Sequence, residues 1–275
     1  QTTSNNVYAS PAIADLEGDG MSEIVVLNWN GNVYVWHANG AVAEGWPQKA
    51  GDGLSKSSPA IADIDGDSLL DIVAGSFGGY DGINFYSLVY AFHANGLVFE
   101  GWPQRGKDFM HNSPALGDVD TNTPGFEIIA GSANILYAWH IDGNNVSGWP
   151  QELDNVYSIT SSPTLADLDP NVQGLEIVAG TANGNLYVLY ANGSIARGWP
   201  QKAGDAVASS PAIADLDGDG KLDIVTGSSI FDNLYGEVHA WRADGELFLG
   251  WPQLLSSTTS ASPAIADLDD DGRLD

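Results

Sequence analysis

The sequence predicts an all-β chain: a β-propeller of four-stranded antiparallel blades, with five complete blades and the start of a sixth. Three observations carry this prediction. First, a segment of the type Ser-Pro-Ala-Ile-Ala-Asp recurs with its proline at Pro11, Pro59, Pro114, Pro163, Pro211 and Pro263, at intervals of 48, 55, 49, 48 and 52 residues. Repeats of this length mark solenoids, propellers and arrays. Second, each unit reads as four short strands separated by turn residues. Third, no stretch has a convincing helical period.

The elements of a unit follow in order. The first strand is the Pro-Ala-Ile-Ala-Asp segment, and an acidic loop follows it. The second strand is of the Ile-Val-Ala-Gly-Ser type, as at Ile72–Ser76 and Ile224–Ser228. The third alternates with aromatics, as at Val33–His37 and Leu186–Tyr190. A turn follows at Asn39-Gly40, Asn95-Gly96, Asp142-Gly143, Asn192-Gly193 or Asp244-Gly245. Such pairs between strands predict type I′ hairpins. The fourth strand is expected to run into Gly-Trp-Pro-Gln, with its proline on an edge strand. The tryptophan there (Trp46, Trp102, Trp149, Trp199, Trp251) reads as a wedge between blades. Blades start near residues 10, 58, 113, 162, 210 and 262 of one propeller domain spanning 1–275. The sixth unit reaches only its acidic loop at Asp275, so the expectation is a portion of a larger parent chain.

The formal net charge is −27, with 36 Asp and Glu against nine Lys and Arg. The six acidic loops hold 23 of those 36 acids, which leaves a balance of only −4 elsewhere. The acidity is therefore local. No basic patch suits nucleic acid, no apolar run approaches membrane-spanning length, and the absence of cysteine leaves the redox compartment unread.

The acidic loops follow Asp-x-Asp-x-Asp-Gly-x-x-Asp. Carboxylates at this density repel one another unless a hard cation sits among them, and oxygen-only ligands suit Ca²⁺. Carboxylates are expected from Asp15, Glu17, Asp19 and Glu23; Asp63, Asp65, Asp67 and Asp71; Asp215, Asp217, Asp219 and Asp223; and Asp267, Asp269, Asp271 and Asp275. The seventh position adds a backbone carbonyl from Met21, Leu69, Lys221 or Arg273. The third and fourth copies are one residue longer and replace an aspartate by asparagine: Asp118, Asp120, Asn122 and Glu127; Asp167, Asp169, Asn171 and Glu176. They carry one charge fewer, so weaker sites are expected there. About one Ca²⁺ per loop, up to six, is the expectation. An EF-hand is excluded, because it needs Glu at position 12 and flanking helices. That position holds Val26, Ala74, Ile129, Val178 or Thr226.

With its acidic loop, the run Ser-Pro-Ala-Ile-Ala-Asp-Leu-Asp-Gly-Asp-Gly-Lys-Leu-Asp-Ile-Val resembles the FG-GAP/VCBS repeat. That repeat occurs in integrin α-chain propellers and in many bacterial and archaeal surface proteins. The literal Phe-Gly and Gly-Ala-Pro tripeptides are weaker here, with Phe77-Gly78 and Ala-Gly-Ser analogues. The resemblance covers essentially the whole chain and implies Ca²⁺ between the first two strands and residence outside the cell or on its surface. It implies no single activity, because the fold hosts adhesins, lectins and enzyme domains.

No nucleophile elbow, His-Glu-x-x-His or phosphate loop is present. His37, His93 and His140 occupy equivalent repeat positions and read as blade structure, whereas His111 stands outside the register. Binding is thus the leading function, on the face opposite the acidic loops, where connections vary between repeats. Candidate contacts for a protein or glycan are Tyr80, Phe85 and Tyr86 in an insertion in blade two, Phe231 and Tyr235 in blade five, and Phe109, His111 and Tyr157 in linkers. The favoured class is a non-enzymatic, Ca²⁺-stabilised module for adhesion or assembly. The alternative is a lectin or the propeller domain of a carbohydrate-active enzyme, such as a Ca²⁺-dependent polysaccharide lyase.

Overall fold

The computed structural model describes residues 3, 5–153, 158–232, 234–269 and 272–274. Its strands form five separate four-stranded antiparallel sheets in which chain neighbours pair. Blade one holds β1 (Ala12–Ala14), β2 (Glu23–Leu27), β3 (Asn32–His37) and β4 (Gln48–Lys49). Blade two holds β5 (Ala60–Ala62), β6 (Asp71–Tyr80), β7 (Phe85–Phe92) and β8 (Gln104–Lys107). Blade three holds β9 (Ala115–Gly117), β10 (Glu127–Ser132), β11 (Ile135–Trp139) and β12 (Gln151–Glu152). Blade four holds β13 (Thr164–Ala166), β14 (Glu176–Gly180), β15 (Asn185–Leu189) and β16 (Gln201–Lys202). Blade five holds β17 (Ala212–Ala214), β18 (Asp223–Ile230), β19 (Tyr235–Arg242) and β20 (Gln253–Leu255). Residues 261–267 of the sixth copy form no strand.

The chain divides into two compact units. The first comprises Gln1–Asp118 with Asn122–Glu152, the second Val119–Thr121 with Leu153–Asp275. Blades one to three thus lie in the first and blades four and five in the second.

Within each unit, adjoining blades pack through side chains of their second and third strands. Val25, Leu27, Val33 and Val35 of blade one share a fully buried core with Ile72, Ala74 and Phe92 of blade two. Val73, Val89 and Ala91 meet Ile128, Ala130 and Trp139 in the same way, as Val178, Leu186 and Val188 meet Ile224 and Trp241 in the second unit. Middle strands covered on both faces explain why β6 and β10 are almost wholly buried rather than alternating.

Within each unit the Gly-Trp-Pro motif clamps one blade to the next. The indole Nε1 of Trp46, Trp102 and Trp199 donates to the carbonyl of Ala94, Ile141 and Ala243, at 2.9, 2.6 and 2.8 Å. These carbonyls open the next blade's turn, and the preceding glycine abuts the same turn. A Cβ on Gly101 would lie 2.2 Å from the Asp142 carbonyl oxygen. The wedge reading of the tryptophan holds for these three. A second tie was not anticipated from the sequence. The N–H of the serine before one repeat proline donates to the hydroxyl of its counterpart in the next repeat, as Ser10 to Ser58, Ser58 to Ser113, Ser162 to Ser210 and Ser210 to Ser262, at 2.9–3.1 Å.

Three expectations are corrected. The turns are not type I′, which requires two residues at positive φ. Of the pair Asn39-Gly40 only the glycine is there, at φ 82°. Its N–H donates to the His37 carbonyl at 2.8 Å, while Asn39 Oδ1 accepts the Ala41 N–H at 2.8 Å. This is a three-residue loop whose Asn or Asp serves as a side-chain acceptor rather than as a left-handed residue. The fourth strands begin after the proline rather than running into it. Upstream residues make only one bridge each, such as Trp36 with Val42, and the Trp–Pro bonds are cis. Finally, the insertions in blades two and five are strand extensions that lengthen the β6–β7 and β18–β19 hairpins.

Candidate metal loops and aromatic cleft

The acidic loops of blades one, two and five are sets of backbone turns closed by their own carboxylates. At the first position, Asp15 accepts the N–H groups of Asp19 and Gly20 at 3.1 and 2.8 Å. Asp63 accepts those of Gly66 and Ser68 at 2.7 and 3.0 Å, and Asp215 those of Gly218, Asp219 and Gly220 at 2.8–3.1 Å. At the fifth position, Asp19, Asp67 and Asp219 accept the N–H of Met21, Leu69 and Lys221 at 2.8–2.9 Å. At the ninth, the buried Glu23, Asp71 and Asp223 accept the N–H of Leu16, Ile64 and Leu216 at 3.0–3.1 Å. Loop six repeats one of these bonds, from Gly272 N–H to Asp267 at 2.8 Å. Asp271 and Asp275 lie outside the described residues.

The aspartates are drawn together by this folding. Carboxylate oxygens of Asp63, Asp65 and Asp71 lie within 4.8 Å of one another, as do those of Asp215, Asp217 and Asp219. In blade one Glu17 is exposed and joins no such group among the described residues. Burial, then the charges of Asp65, Asp67 and Asp63, push the Asp71 carboxyl up to about 7 against the pull of the Ile64 N–H. Burial also raises Asp223 and Glu176. In loop four, Glu176 Oε2 accepts the N–H of Leu168 and Asp169 at 2.7 and 3.1 Å. Its Oε1 is buried with no hydrogen-bond partner among the described residues. Asp167 sits nearby, while Asn171 Nδ2 donates to Asp169 Oδ1 at 2.9 Å. Loop three is divided, with Asp118, Asn122 and Glu127 in the first unit and Asp120 in the second.

The residue ending the third strand faces the loop, because the register sets it opposite the ninth position (Glu23 with His37, Asp223 with Arg242). His37 Nδ1 lies 3.2 Å from Glu23 Oε1, and His140 Nδ1 lies 3.1 Å from Glu127 Oε1. His93 Nδ1 stands 3.6 Å from Asp71 and 3.9 Å from Asp65. These histidines are structural neighbours of the loops, in line with the sequence reading.

These residues fit a hard cation. The donors are all oxygens, and each backbone bond uses only part of a carboxylate's acceptor capacity. An orphaned oxygen such as Glu176 Oε1 is what a bound cation would satisfy.

The other candidate region lies at the far end of blade two. From Asp71 at the acidic loop, β6 runs nine residues to Tyr80, a reach of roughly 30 Å. There Tyr80, Ile83, Asn84, Phe85 and Tyr86, with Arg105–Asp108 of β8 and its end, line a cleft of about 640 Å³. The Asp81 carboxylate accepts the N–H of Ile83 and Asn84 at 3.0 and 2.9 Å and shapes the hairpin tip. It also pairs with Arg105, whose guanidinium lies 4.1 Å over the Tyr86 ring. The two N–H groups and Arg105 hold the Asp81 carboxyl down at about 2. Phe109 stacks on Phe77 at 4.9 Å and on His111 at 5.9 Å and touches Phe85 at 5.3 Å. Burial and Lys56 lower the His111 titration. Tyr80, Phe85, Tyr86, Phe109 and His111 are therefore brought together, with Tyr80 and Phe85 about half exposed. Phe231 and Tyr235 flank the blade-five hairpin tip, where the Phe231 N–H donates to Asp205 at 2.8 Å. Tyr157 lies outside the described residues. Sequence reasoning missed Arg105 and Asp81, although both flank the extension.

Antiparallel four-stranded blades, each with an acidic loop between its first two strands, define the chain as a β-propeller repeat protein. Two stretches of it match FG-GAP repeat models: residues 4–74 match the FG-GAP-like repeat and residues 207–241 the FG-GAP repeat. Comparison with curated proteins gives no match. The fold is similar to the V. cholerae biofilm matrix protein Bap1, with TM-score 0.63 and 21% identity over 90% of this chain and 40% of that one. It is also similar to BamB from Moraxella catarrhalis (TM-score 0.54, 14% identity, 97% of this chain and 80% of that one). The same holds for BBS1N in complex with ARL6DN (TM-score 0.54, 15% identity, 92% and 67%). The chain thus spans about 40% of the length of Bap1. Among the described residues no helix is long and apolar enough to cross a membrane.

Proposed function

We propose that this chain is a Ca²⁺-stabilised propeller module that binds a glycan or protein partner outside the cell or on its surface. The observation that carries the metal half is the convergence of Asp63, Asp65 and Asp71 on a loop whose last carboxylate is buried. Like charges gathered at this distance favour the folded loop only when a cation joins them. A metal that binds the folded form stabilises it by mass action. The acidic loops would hold the corner between the first and second strands of each blade. The binding half is supported by the cleft of blade two, where the repeat is broken by exposed aromatics on a rigid hairpin. A role in matrix assembly or adhesion accords with the fold that the chain shares with Bap1.

The test has two arms. Melting is followed in chelator, in excess Ca²⁺ and in excess Mg²⁺. Ca²⁺ raises the melting temperature and Mg²⁺ restores it poorly, since Mg²⁺ demands a tighter octahedral shell. A melting curve indifferent to chelator overturns the metal reading. In the second arm a glycan array is probed in parallel with a depolymerisation assay. Retention that is lost with Tyr80→Ala supports the binding reading, and depolymerisation of a polysaccharide by this chain overturns the non-enzymatic one.

A further inference from the structure

In blade five the third strand ends in Arg242, at the position where blades one to three carry His37, His93 and His140 and blade four carries Tyr190. Its guanidinium donates from Nη2 to Asp217 Oδ2 at 2.7 Å, and Nη1 lies 3.5 Å from Asp219 Oδ2. The Oδ1 atoms of the same two aspartates are already taken by the backbone, from Asp219 N–H at 3.3 Å and Lys221 N–H at 2.9 Å. The guanidinium therefore meets the oxygens left for a cation. The Phe248 ring lies 4.6 Å from the guanidinium carbon, and the register of Arg242 opposite Asp223 fixes its origin over the loop. Arginine keeps its charge at every physiological pH and offers a planar fork to carboxylates. The regular loops of blades one and two carry a histidine there instead. In blade two the corresponding His93 reaches Asp65 only at 3.9 Å.

We propose that Arg242 is a built-in counter-cation of the fifth acidic loop, which neutralises Asp217 and Asp219 without metal and competes with Ca²⁺ for them. The inference rests on the Ca²⁺ reading of the loops. It makes blade five a weaker Ca²⁺ binder than blades one and two, although its motif is the cleanest in the sequence, and less disturbed than they are by chelation. The residue that ends the third strand thus sets cation demand blade by blade.

The test is a Ca²⁺ titration of the whole chain followed at amide resonances. Gly220 and Lys221 report on loop five because their N–H groups donate to Asp215 and Asp219, and Ser68 and Leu69 report likewise on loop two. In Arg242→Gln the loop-five midpoint moves to lower Ca²⁺ by roughly tenfold or more, the effect of removing one positive charge a few ångström from a divalent ion in water. The loop-two midpoint stays in place. Unchanged or weakened Ca²⁺ binding at Gly220 and Lys221 overturns the proposal. If no loop responds to Ca²⁺, the Ca²⁺ reading itself fails, and melting in chelator at low salt then decides on Arg242. A lower melting temperature for Arg242→Gln than for wild type supports the counter-cation role, and an equal one overturns it.

Discussion

Replacing Asp71 by asparagine inverts in sign with the metal. Asp71 is about 1% exposed, and its carboxyl titrates at about 7 instead of the ordinary 3.8. Folding raises the titration, so the metal-free folded form holds the proton more tightly than the unfolded one. Metal-free stability attached to this group is complete below about pH 4 and is lost as pH rises to about 7. Above that, the buried charge costs on the order of 4 kcal/mol. Asparagine keeps the shape and an oxygen for the Ile64 N–H, now at 3.1 Å from Asp71 Oδ2, and gives back about 1 kcal/mol of charge assistance. In chelator at pH 8, Asp71→Asn should therefore be more stable than wild type by about 3 kcal/mol, or about 6 °C or more in melting temperature. At pH 4, where wild type is protonated as well, the gain disappears. In excess Ca²⁺ the variant loses an anionic ligand and melts below wild type. The assay is thermal melting of both proteins at two pH values, with chelator or Ca²⁺. A variant that is less stable than wild type in chelator at pH 8 refutes the reasoning, since the carboxylate would then stabilise the loop without any metal.

Two further predictions concern the clamp between blades. Trp102→Phe keeps an aromatic ring against Trp139 but leaves the Ile141 carbonyl without its donor, at a cost of about 1–3 kcal/mol in denaturant unfolding. Gly101→Ala sets a methyl 2.2 Å from the Asp142 oxygen at φ 87°. It should cost more than the about 1 kcal/mol of backbone strain alone, read in the same unfolding curves.

Much of this architecture was legible in the chain because a repeat states its constraints several times over. The second and third strands and the acidic loops recur in register and are found where the pattern put them, as is the tryptophan wedge at Trp46, Trp102 and Trp199. What escaped was geometry that the same letters encode in more than one way. Asn-Gly suits a type I′ turn, but it equally suits a three-residue loop in which Asn39 accepts the Ala41 N–H. The serine before the repeat proline drew no reading of its own, yet at Ser58, Ser113, Ser210 and Ser262 its hydroxyl accepts the backbone N–H of the serine one repeat earlier. Arg242 was passed over because in sequence it stands 23 residues or more from Asp217 and Asp219, and only the pairing of β18 with β19 brings it over them. Glu176 sits in a loop that one fewer charge marked as weak. Burial of its Oε1 without a hydrogen-bond partner among the described residues is a feature that the charge count could not show.

Under the proposed function, the two candidate regions divide the work along one strand. Asp71 and Tyr80 are the ends of β6, and everything between them is buried or nearly so. The Asp71 end is copied in every blade, so it answers a need that every blade has, which is to hold two strands together against their own charge. The Tyr80 end has one counterpart among the described residues, the shorter hairpin extension of blade five, and none in blades one, three and four. Its hairpin is longer, its tip is fixed by Asp81, and two of only nine cationic side chains, Arg105 and Lys107, lie beside its exposed rings. A ligand that must be met once per molecule belongs at such a place, because a scaffold requirement would have left its mark on all the blades. The discriminating comparison is therefore Tyr80→Ala against Asp65→Asn. The first should abolish partner binding with an unchanged melting curve, since Tyr80 is 58% exposed. The second should lower Ca²⁺-dependent stability and leave binding intact while the chain remains folded. If Asp65→Asn removed binding from the folded chain as completely as Tyr80→Ala, the acidic loop itself would be the contact and this division would be wrong.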